Sequence, residues 1–354
     1  MSSRTRPFSR ALGVLFVVAL AACSSGGSRS TSKSKTSTPK ASAQPAASVA
    51  AKPSSGCQAT TPVAPGETRI DTTFRGAARW YIRHVPPPYD AHTPMPVVLD
   101  LHGYEEGAVV HTKMSALGPY GDAHGFITVT PQGSGTAVPL WDTSLQGTDV
   151  AFIGGLLDEV DRTLCVDDHR VFVTGLSNGA FMTSAVACAY ADRVAAAAPV
   201  AGIREIDGCT FARPVPVVAI HGTADPFVSY DGGLGPKALA LPAPDGSGKT
   251  LAQSGAAATQ TKGPSIPDIT TAWAKRNGCA TAPPSERPIA SDVTLLTWKC
   301  PTDATVELYR VTGGGHAWPG SEFSKAIASV VGKTTFSISA DDVIWRFFEQ
   351  HPLQ

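Results

Sequence analysis

The chain has 354 residues, 42% of them hydrophobic, and its 29 basic residues balance 29 acidic ones. The charge is unevenly distributed, since residues 1–56 hold eight basic residues and no acidic one, which leaves 21 basic against 29 acidic residues in 57–354. An acidic body lacks the basic footprint that nucleic-acid phosphates require, so nucleic acid is excluded as a partner. The body is long enough for one domain with a complete core.

Residues 1–22 have the pattern of an export signal. Three arginines and no acidic residue precede an apolar run that is too short for a permanent membrane span. The run ends in LAAC at residues 20–23, which resembles the lipobox of bacterial lipoproteins. We therefore predict a lipoprotein signal peptide over 1–22 and a lipid on Cys23 that anchors the protein to the outer face of the cell membrane. Ordinary secretion is the alternative.

The next segment, 23–56, is predicted to be a disordered tether. After Cys23 it contains Ser, Thr, Ala, Lys and Pro in abundance and neither an aromatic nor an acidic residue. Such a segment cannot bury enough apolar surface to offset the entropy lost on ordering. The folded body is accordingly predicted to span 57–354.

The body contains six cysteines: Cys57, Cys165, Cys188, Cys209, Cys279 and Cys300. An even number in an exported protein favours three disulfides, whereas a metal site would need a CxxC pair or a His/Cys cluster that the sequence lacks. Six cysteines allow fifteen pairings. Proximity in sequence suggests Cys279 with Cys300 and Cys188 with Cys209, which leaves Cys57 with Cys165. We expect no metal and no other cofactor.

Short apolar runs alternate with helical patterns along the body. Predicted strands cover 79–85, 97–101, 126–130, 170–174, 194–200, 215–220, 293–300 and 305–311. Helical spacing of apolar residues predicts helices over 150–164 and 178–191, and a third that is capped by Ser339 and stopped by Pro352. Near-continuous apolar strands alternating with helices predict a doubly wound, mostly parallel sheet in a single α/β domain.

Residues 231–267 interrupt this alternation. The segment is rich in Gly, Pro, Ala and Lys and shows little hydrophobic periodicity. Long irregular segments are usually either functional covers over a site or loose surface insertions. Both interpretations of 231–267 are open from the sequence.

The sequence GLSNG at 175–179 lies between a predicted strand and a predicted helix. A GxSxG pattern alone is weak, but the strand–turn–helix context is that of an elbow that exposes a serine hydroxyl. We predict Ser177 to be a nucleophile.

A serine hydroxyl needs an imidazole to take its proton and a carboxylate to orient that imidazole. HGTADP offers Asp225 and GGGHAWPG offers His316, each shortly after a predicted strand. The order nucleophile, acid, histidine is that of α/β-hydrolases. Asp225 is therefore the predicted acid and His316 the predicted base, with Asp100 and Asp149 as competing acids.

The negative charge of a tetrahedral intermediate needs two backbone N–H donors near the nucleophile. We predict that Asn178 and Tyr104 supply them, while His102 braces the loop by hydrogen bonding. Trp141 and Trp318 flank the proposed loops, and we predict that they contact the acyl group of a substrate, with core packing as the alternative.

Residues 57–354 resemble the extracellular poly(3-hydroxybutyrate) depolymerase and feruloyl esterase family, including the LpqC-type lipoproteins of actinobacteria. The resemblance is carried by VVLDLHG, FITVTPQG, CVDDHRVFVTGLSNGAFMTSAVAC, RVAAAAPVAG, PVPVVAIHGTADP, TAWAKRNGC, LYRVTGGGHAWPG and IWRFFEQH. It implies an α/β-hydrolase fold, carboxylic-ester hydrolysis, and the roles given above for Ser177, Asp225 and His316. We expect no separate polymer-binding module, which favours soluble esters.

The sequence thus predicts an exported serine esterase that hydrolyses small or oligomeric esters through an acyl-enzyme and is held at the membrane by its lipid. Two alternatives stay open. One is a noncatalytic surface-binding lipoprotein on a hydrolase scaffold, and the other is a serine peptidase of the same fold.

Overall fold

The computed structural model of the protein describes residues 49–59, 63–135, 137–210, 212–255 and 262–354. The predicted signal peptide, Cys23 and most of the predicted tether lie outside these ranges. Within these ranges, no helix is both long and apolar enough to cross a membrane.

Ten strands of the described ranges form one sheet in the order β1-β2-β4-β3-β5-β6-β7-β10-β9-β8. Their bounds are β1 Gly66–Phe74, β2 Ala77–Val85, β3 Met95–Leu101, β4 Ile127–Pro131, β5 Val166–Leu176, β6 Ala196–Val200, β7 Val217–Gly222, β8 Ser285–Ala290, β9 Val293–Thr297 and β10 Val306–Val311. The six central strands, β4-β3-β5-β6-β7-β10, are mutually parallel. Antiparallel strands flank them on both sides. The predicted mostly parallel α/β sheet is confirmed.

All eight strands predicted from the sequence are present, with ends shifted by at most four residues. The central strands β6 and β7 are buried along their whole length, as expected for parallel strands covered on both faces. The two strands that sequence patterns did not indicate, β1 and β8, are the outer strands of the sheet. Both are largely exposed, so neither shows the apolar run that a buried strand requires.

Helices cover both faces of the sheet. Their bounds are α1 Gly107–Ser115, α2 Leu117–His124, α3 Thr148–Thr163, α4 Asn178–Ala189, α5 Pro236–Leu239, α6 Leu251–Ser254, α7 Ile266–Arg276, α8 Glu322–Ala326, α9 Ala328–Val331 and α10 Ala340–Gln350. Strand β5 shows the two layers, because Val171 and Val173 belong to the core with α3 whereas Phe172 belongs to the core with α10. Phe172 stacks on Phe348 of α10 with ring centroids 4.5 Å apart.

The C-terminal helix α10 forms as its sequence predicts. The Ser339 hydroxyl accepts a hydrogen bond from the Asp342 N–H at 3.2 Å, which satisfies one of the free donors of the first turn. The apolar face of the helix is buried, and the helix ends at Gln350, two residues before Pro352.

The three predicted disulfides, Cys57–Cys165, Cys188–Cys209 and Cys279–Cys300, are all present. The last residues of the predicted tether contact the body. The Lys52 N–H donates to Asp167 Oδ1 at 2.9 Å, and the Ser54 hydroxyl donates to the Leu164 carbonyl at 2.8 Å. Composition predicts disorder for small polar residues, but here backbone groups and the Cys57 disulfide hold the segment from about Lys52 onward against the body.

We expect the Cys57–Cys165 disulfide to contribute the most to stability, because it closes a loop with a sequence separation of 108 against 21 for the other two. Replacing both of its cysteines by alanine should lower the free energy of unfolding by about 2–5 kcal/mol. The matched control is the double alanine variant of Cys279 and Cys300, and urea unfolding measures both. A smaller loss for the Cys57–Cys165 variant than for the control would contradict this expectation.

Candidate active site

The three residues predicted as nucleophile, acid and base lie at one edge of the sheet. Ser177 follows β5 directly, Asp225 lies three residues beyond β7, and His316 lies five residues beyond β10. These strands are parallel and are separated only by β6, so their carboxyl ends meet at the same edge. Ligands bind at this edge in open α/β sheets.

Ser177 has a strained backbone at the start of α4. Its φ is 59° and its ψ −117°, a conformation that costs a non-glycine residue about 1–3 kcal/mol. The Ser177 N–H donates to the Val200 carbonyl at 2.9 Å, and its carbonyl accepts from the Phe181 N–H at 3.0 Å. A Cβ on Gly179 would collide with the Leu101 backbone, which explains the glycine there. The sharp turn leaves the serine half-buried at the site rather than within the core.

Asp225 and His316 are in direct contact. His316 Nδ1 donates to Asp225 Oδ2 at 2.7 Å, which leaves Nε2 as the nitrogen that can accept a proton. The other carboxylate oxygen accepts from the N–H groups of Phe227 and Val228 at 2.8 and 2.9 Å. The Phe227 ring packs 4.9 Å from the His316 ring. The imidazole is therefore fixed on two sides.

Asp225 is held ionised by its surroundings. Burial by itself would raise the pKa of Asp225, but the positive charge and hydrogen bond of His316, together with His221, lower the pKa below its usual value. His221 Nε2 lies 3.4 Å from Asp225 Oδ2 and donates to the Val228 carbonyl at 2.9 Å. Sequence reasoning missed this second histidine, although its position in HGTADP was the available signal.

The two competing acids are engaged elsewhere. Asp149 is fully buried and forms an ion pair with Arg79 at 2.8 Å. Asp100 accepts hydrogen bonds from His111 at 2.7 Å and from the Ser115 hydroxyl at 2.6 Å. Neither carboxylate contacts His316, so the geometry favours Asp225.

The predicted oxyanion donors have no competing partner among the described residues. Neither the Tyr104 N–H nor the Asn178 N–H donates a hydrogen bond within this part of the chain. A Cβ on Gly103 would lie 3.6 Å from the Ser177 Cβ, so the Tyr104 loop runs beside the serine. The Asn178 side chain accepts from the Trp141 N–H at 2.7 Å and thereby ties a third loop to the elbow.

A buried charge cluster supports the Tyr104 loop. The Gly103 N–H donates to Glu106 Oε2 at 2.6 Å, and the same oxygen lies 3.0 Å from His111 Nδ1. Burial by itself would lower the pKa of His111, but the carboxylates of Asp100 and Glu106 raise it to about 10. A buried imidazolium is thus clamped between two carboxylates, one of which holds the loop backbone. No periodic pattern in the sequence indicated this cluster, which joins β3 to the loop and α1.

His102 braces the same loop. Its Nδ1–H donates to the Gly103 carbonyl at 2.7 Å, and its Nε2 accepts from the Gly133 N–H at 2.9 Å. Burial lowers the pKa of His102 to about 4, so the ring is neutral at neutral pH. Both nitrogens are committed to backbone groups, in agreement with the predicted bracing role.

Trp141 and Trp318 are 2% and 1% exposed. Trp141 Nε1 donates to the His102 carbonyl at 2.9 Å, and Trp318 Nε1 donates to Asp341 at 2.8 Å. Burial this complete argues against the predicted role of both indoles as walls of a substrate pocket. They pack as core residues beneath the loops, because each N–H finds a buried partner there.

The described parts of the interrupting segment, 231–255 and 262–267, contact the Tyr104 loop and α9. The Tyr104 hydroxyl donates to the Pro242 carbonyl at 2.7 Å. The Lys237 ammonium donates to the carbonyls of Ser329 and Val330 at 2.8 and 2.6 Å. These contacts favour a cover over the site rather than a loose insertion. Within the described ranges, no group of three or more His, Cys, Asp or Glu residues is placed to hold a metal.

The chain is similar to several esterases in sequence, and no family model matches it. Feruloyl esterase B of Piromyces equi is 30% identical over 220 residues, which are 60% of this chain and 34% of that protein. A probable feruloyl esterase C of Aspergillus oryzae is 35% identical over 163 residues, 44% of this chain and 58% of that protein. The putative esterase NocK of Nocardia uniformis subsp. tsuyamanensis is 28% identical over 305 residues, 79% of this chain and 82% of that protein.

An acetyl xylan esterase from Aspergillus awamori has a similar structure, with a TM-score of 0.51, 16% identity, and coverage of 74% of this chain and 98% of that one. The fold is that of the α/β-hydrolases. The chain is similar to proteins named as feruloyl esterases and spans less than two thirds of the length of those two.

The raised pKa of His111 predicts a pH dependence of stability. The imidazolium stabilises the fold fully below the unfolded pKa of about 6.5, and this contribution is lost as the pH rises through the folded pKa of about 10. His111→Gln should lower the free energy of unfolding by about 3–5 kcal/mol at pH 7 and should abolish most of its decline between pH 7 and 9.5. Urea unfolding at several pH values measures this. The exposed His92→Gln is the control, and an unchanged pH profile in His111→Gln would refute the assignment.

Proposed function

We propose that this protein is an extracytoplasmic serine carboxylic-ester hydrolase that works through an acyl-enzyme. The observation that carries the proposal is the 2.7 Å contact of Asp225 with His316 at the sheet edge that also presents the strained Ser177. The similarity to proteins named as feruloyl esterases supports an ester as substrate.

In the proposed reaction, the Ser177 hydroxyl oxygen attacks the ester carbonyl carbon while His316 Nε2 takes the hydroxyl proton. Asp225 holds the ring through Nδ1 and stabilises the imidazolium that forms. The imidazolium then gives its proton to the departing alcohol, which leaves an acyl group on Ser177. A water molecule, deprotonated by the same nitrogen, releases the acid and restores the serine.

The negative charge on the former carbonyl oxygen would be bound by the N–H groups of Tyr104 and Asn178. Both are free among the described residues. Both belong to segments fixed by hydrogen bonds to side chains, since Glu106 accepts from the Gly103 N–H and the Asn178 side chain accepts from the Trp141 N–H. Donors that are already oriented stabilise a developing charge without reorganisation when the reaction occurs.

We propose soluble hydroxycinnamoyl or short acyl esters as substrates, in preference to polyester granules and long-chain triglycerides. The similarity to proteins named as feruloyl esterases supports dissolved hydroxycinnamoyl esters. A panel of methyl ferulate, short p-nitrophenyl esters and poly(3-hydroxybutyrate) granules tests this. Faster clearance of granules than of dissolved esters, per enzyme, would reverse the preference.

Ser177→Ala should lower kcat for p-nitrophenyl acetate or methyl ferulate at least about a thousandfold and should abolish labelling by a fluorophosphonate. The exposed Ser291→Ala is the matched control and should behave like the wild type. Thermal unfolding checks that both variants fold. Labelling that persists in Ser177→Ala would contradict the proposed role of Ser177.

The two alternative functions have distinct outcomes. A noncatalytic binding protein would neither react with the fluorophosphonate nor cleave any ester. A serine peptidase would react with the reagent and would cleave aminoacyl anilides faster than the corresponding esters.

We also propose that the protein is exported and held by a lipid on Cys23. Three disulfides support an oxidising compartment. Cys23→Ala should move the protein from the membrane fraction to the soluble fraction while its kcat stays unchanged, because a tether separates the anchor from the body. Fractionation by ultracentrifugation measures this, and retention of the variant in the membrane would show a different anchor.

A further inference from the structure

A cavity of about 760 Å³ opens beside the candidate active site. It is lined by residues 142–146 after Trp141, by 203–207 after β6 and by 262–264, among others. Residues 262–264 belong to the cover segment, the name used here for the described residues of 231–267. Its volume is that of a site for a small organic molecule.

Two lining residues connect the cavity to the proposed machinery. Phe181 lies one helical turn after Ser177 and bonds to its carbonyl at 3.0 Å. Val228 donates its N–H to Asp225 at 2.9 Å. The cavity therefore borders both the nucleophile elbow and the acid loop, and part of an ester held at Ser177 can extend into it.

Arg204 places a guanidinium at this cavity. Its backbone is fixed, since its N–H donates to the Ser184 hydroxyl at 3.3 Å and its carbonyl accepts from Trp273 Nε1 at 3.0 Å. The guanidinium lies 4.6 Å from the centre of the Phe181 ring. It forms no hydrogen bond and no ion pair with any residue in the described ranges.

None of the other charged residues around the cavity forms an ion pair with this guanidinium within the described ranges. Glu205 lies 4.0 Å from Arg276, Asp142 accepts from the Ser144 N–H, and Asp207 is exposed and beyond ion-pair distance of Arg204. Lys262 adds a second positive charge to the lining. Burial lowers the pKa of Arg204, although the negative charge of Asp207 opposes this shift.

We propose that this cavity is a subsite for a carboxylate carried by the ester substrate, and that Arg204 binds that carboxylate. A guanidinium presents paired N–H donors that match the two oxygens of a carboxylate, and the Phe181 ring lies against the guanidinium at 4.6 Å. The inference rests on the proposed ester hydrolysis and adds a preference for esters with a free acid group on either the acyl or the alcohol part.

Two matched substrate pairs test the subsite. The acyl pair is mono-p-nitrophenyl glutarate and the neutral p-nitrophenyl pentanoate. The alcohol pair is p-acetoxybenzoate and the neutral p-acetoxybenzamide. The value of kcat/KM is measured for the wild type, Arg204→Gln, Arg204→Lys and the exposed control Arg287→Gln. The rate of Ser177→Ala gives the background hydrolysis that does not depend on the proposed nucleophile.

In at least one pair, Arg204→Gln should lower kcat/KM for the anionic ester about tenfold or more and leave that for the neutral ester within about twofold. Arg204→Lys should retain part of the preference, and Arg287→Gln should match the wild type. Equal losses on both members of each pair, or no effect on either, would overturn the subsite. The responding pair identifies which part of the ester enters the cavity.

Binding without turnover separates this inference from the proposed hydrolysis. Titration calorimetry with glutarate should detect binding to the full-length Ser177→Ala protein, and the further substitution Arg204→Gln should remove it. Binding that is unaffected by Arg204→Gln would overturn the subsite even if ester hydrolysis is established. Hydrolysis of neutral esters that does not depend on Ser177 would overturn the proposed function while the calorimetric result stands.

Discussion

The strained turn at Ser177 is the constraint around which the site is organised. A positive φ at a serine persists only where the surrounding backbone determines it. Here β6 accepts the Ser177 N–H through Val200, while Leu101 of β3 packs so closely on Gly179 that no Cβ fits. Three adjacent parallel strands and α4 therefore meet at one residue, and the packing of the central sheet maintains the conformation.

The polar and charged groups at the site are of two kinds: those with a hydrogen-bonding or charged partner among the described residues, and those without one. The Asp225 carboxylate accepts three hydrogen bonds, and the His111 imidazolium contacts two carboxylates, so these buried charges keep fixed positions. Buried charges are tolerated when they are paired in this way. The free N–H groups of Tyr104 and Asn178 and the guanidinium of Arg204 differ, because no described residue satisfies them. Groups of this second kind are the ones available to a ligand.

The described residues of 231–267 lie next to two of these unsatisfied groups. Through Pro242 it contacts the side chain of Tyr104, whose backbone is the proposed oxyanion donor, and through residues 262–264 it lines the cavity at Arg204. The same segment is attached to the C-terminal loops by Lys237. Catalytic loop and proposed subsite thus share one wall, so the shape of this segment bears on both turnover and substrate choice.

The sequence by itself determined the class of fold, because apolar periodicity and motif order are local signals that survive without coordinates, and it suggested the three disulfide pairs and Asp225 as the partner of His316. Composition did not indicate the contacts of Lys52 and Ser54 with the body, and exposure hid a strand, as in β1. Only the tertiary structure decided that Trp141 and Trp318 are buried, that His111 bridges Asp100 and Glu106, and that Arg204 faces a cavity without a partner. Each of these depends on residues far apart in sequence, and burial and pairing of this kind are properties of the packed chain rather than of any local pattern.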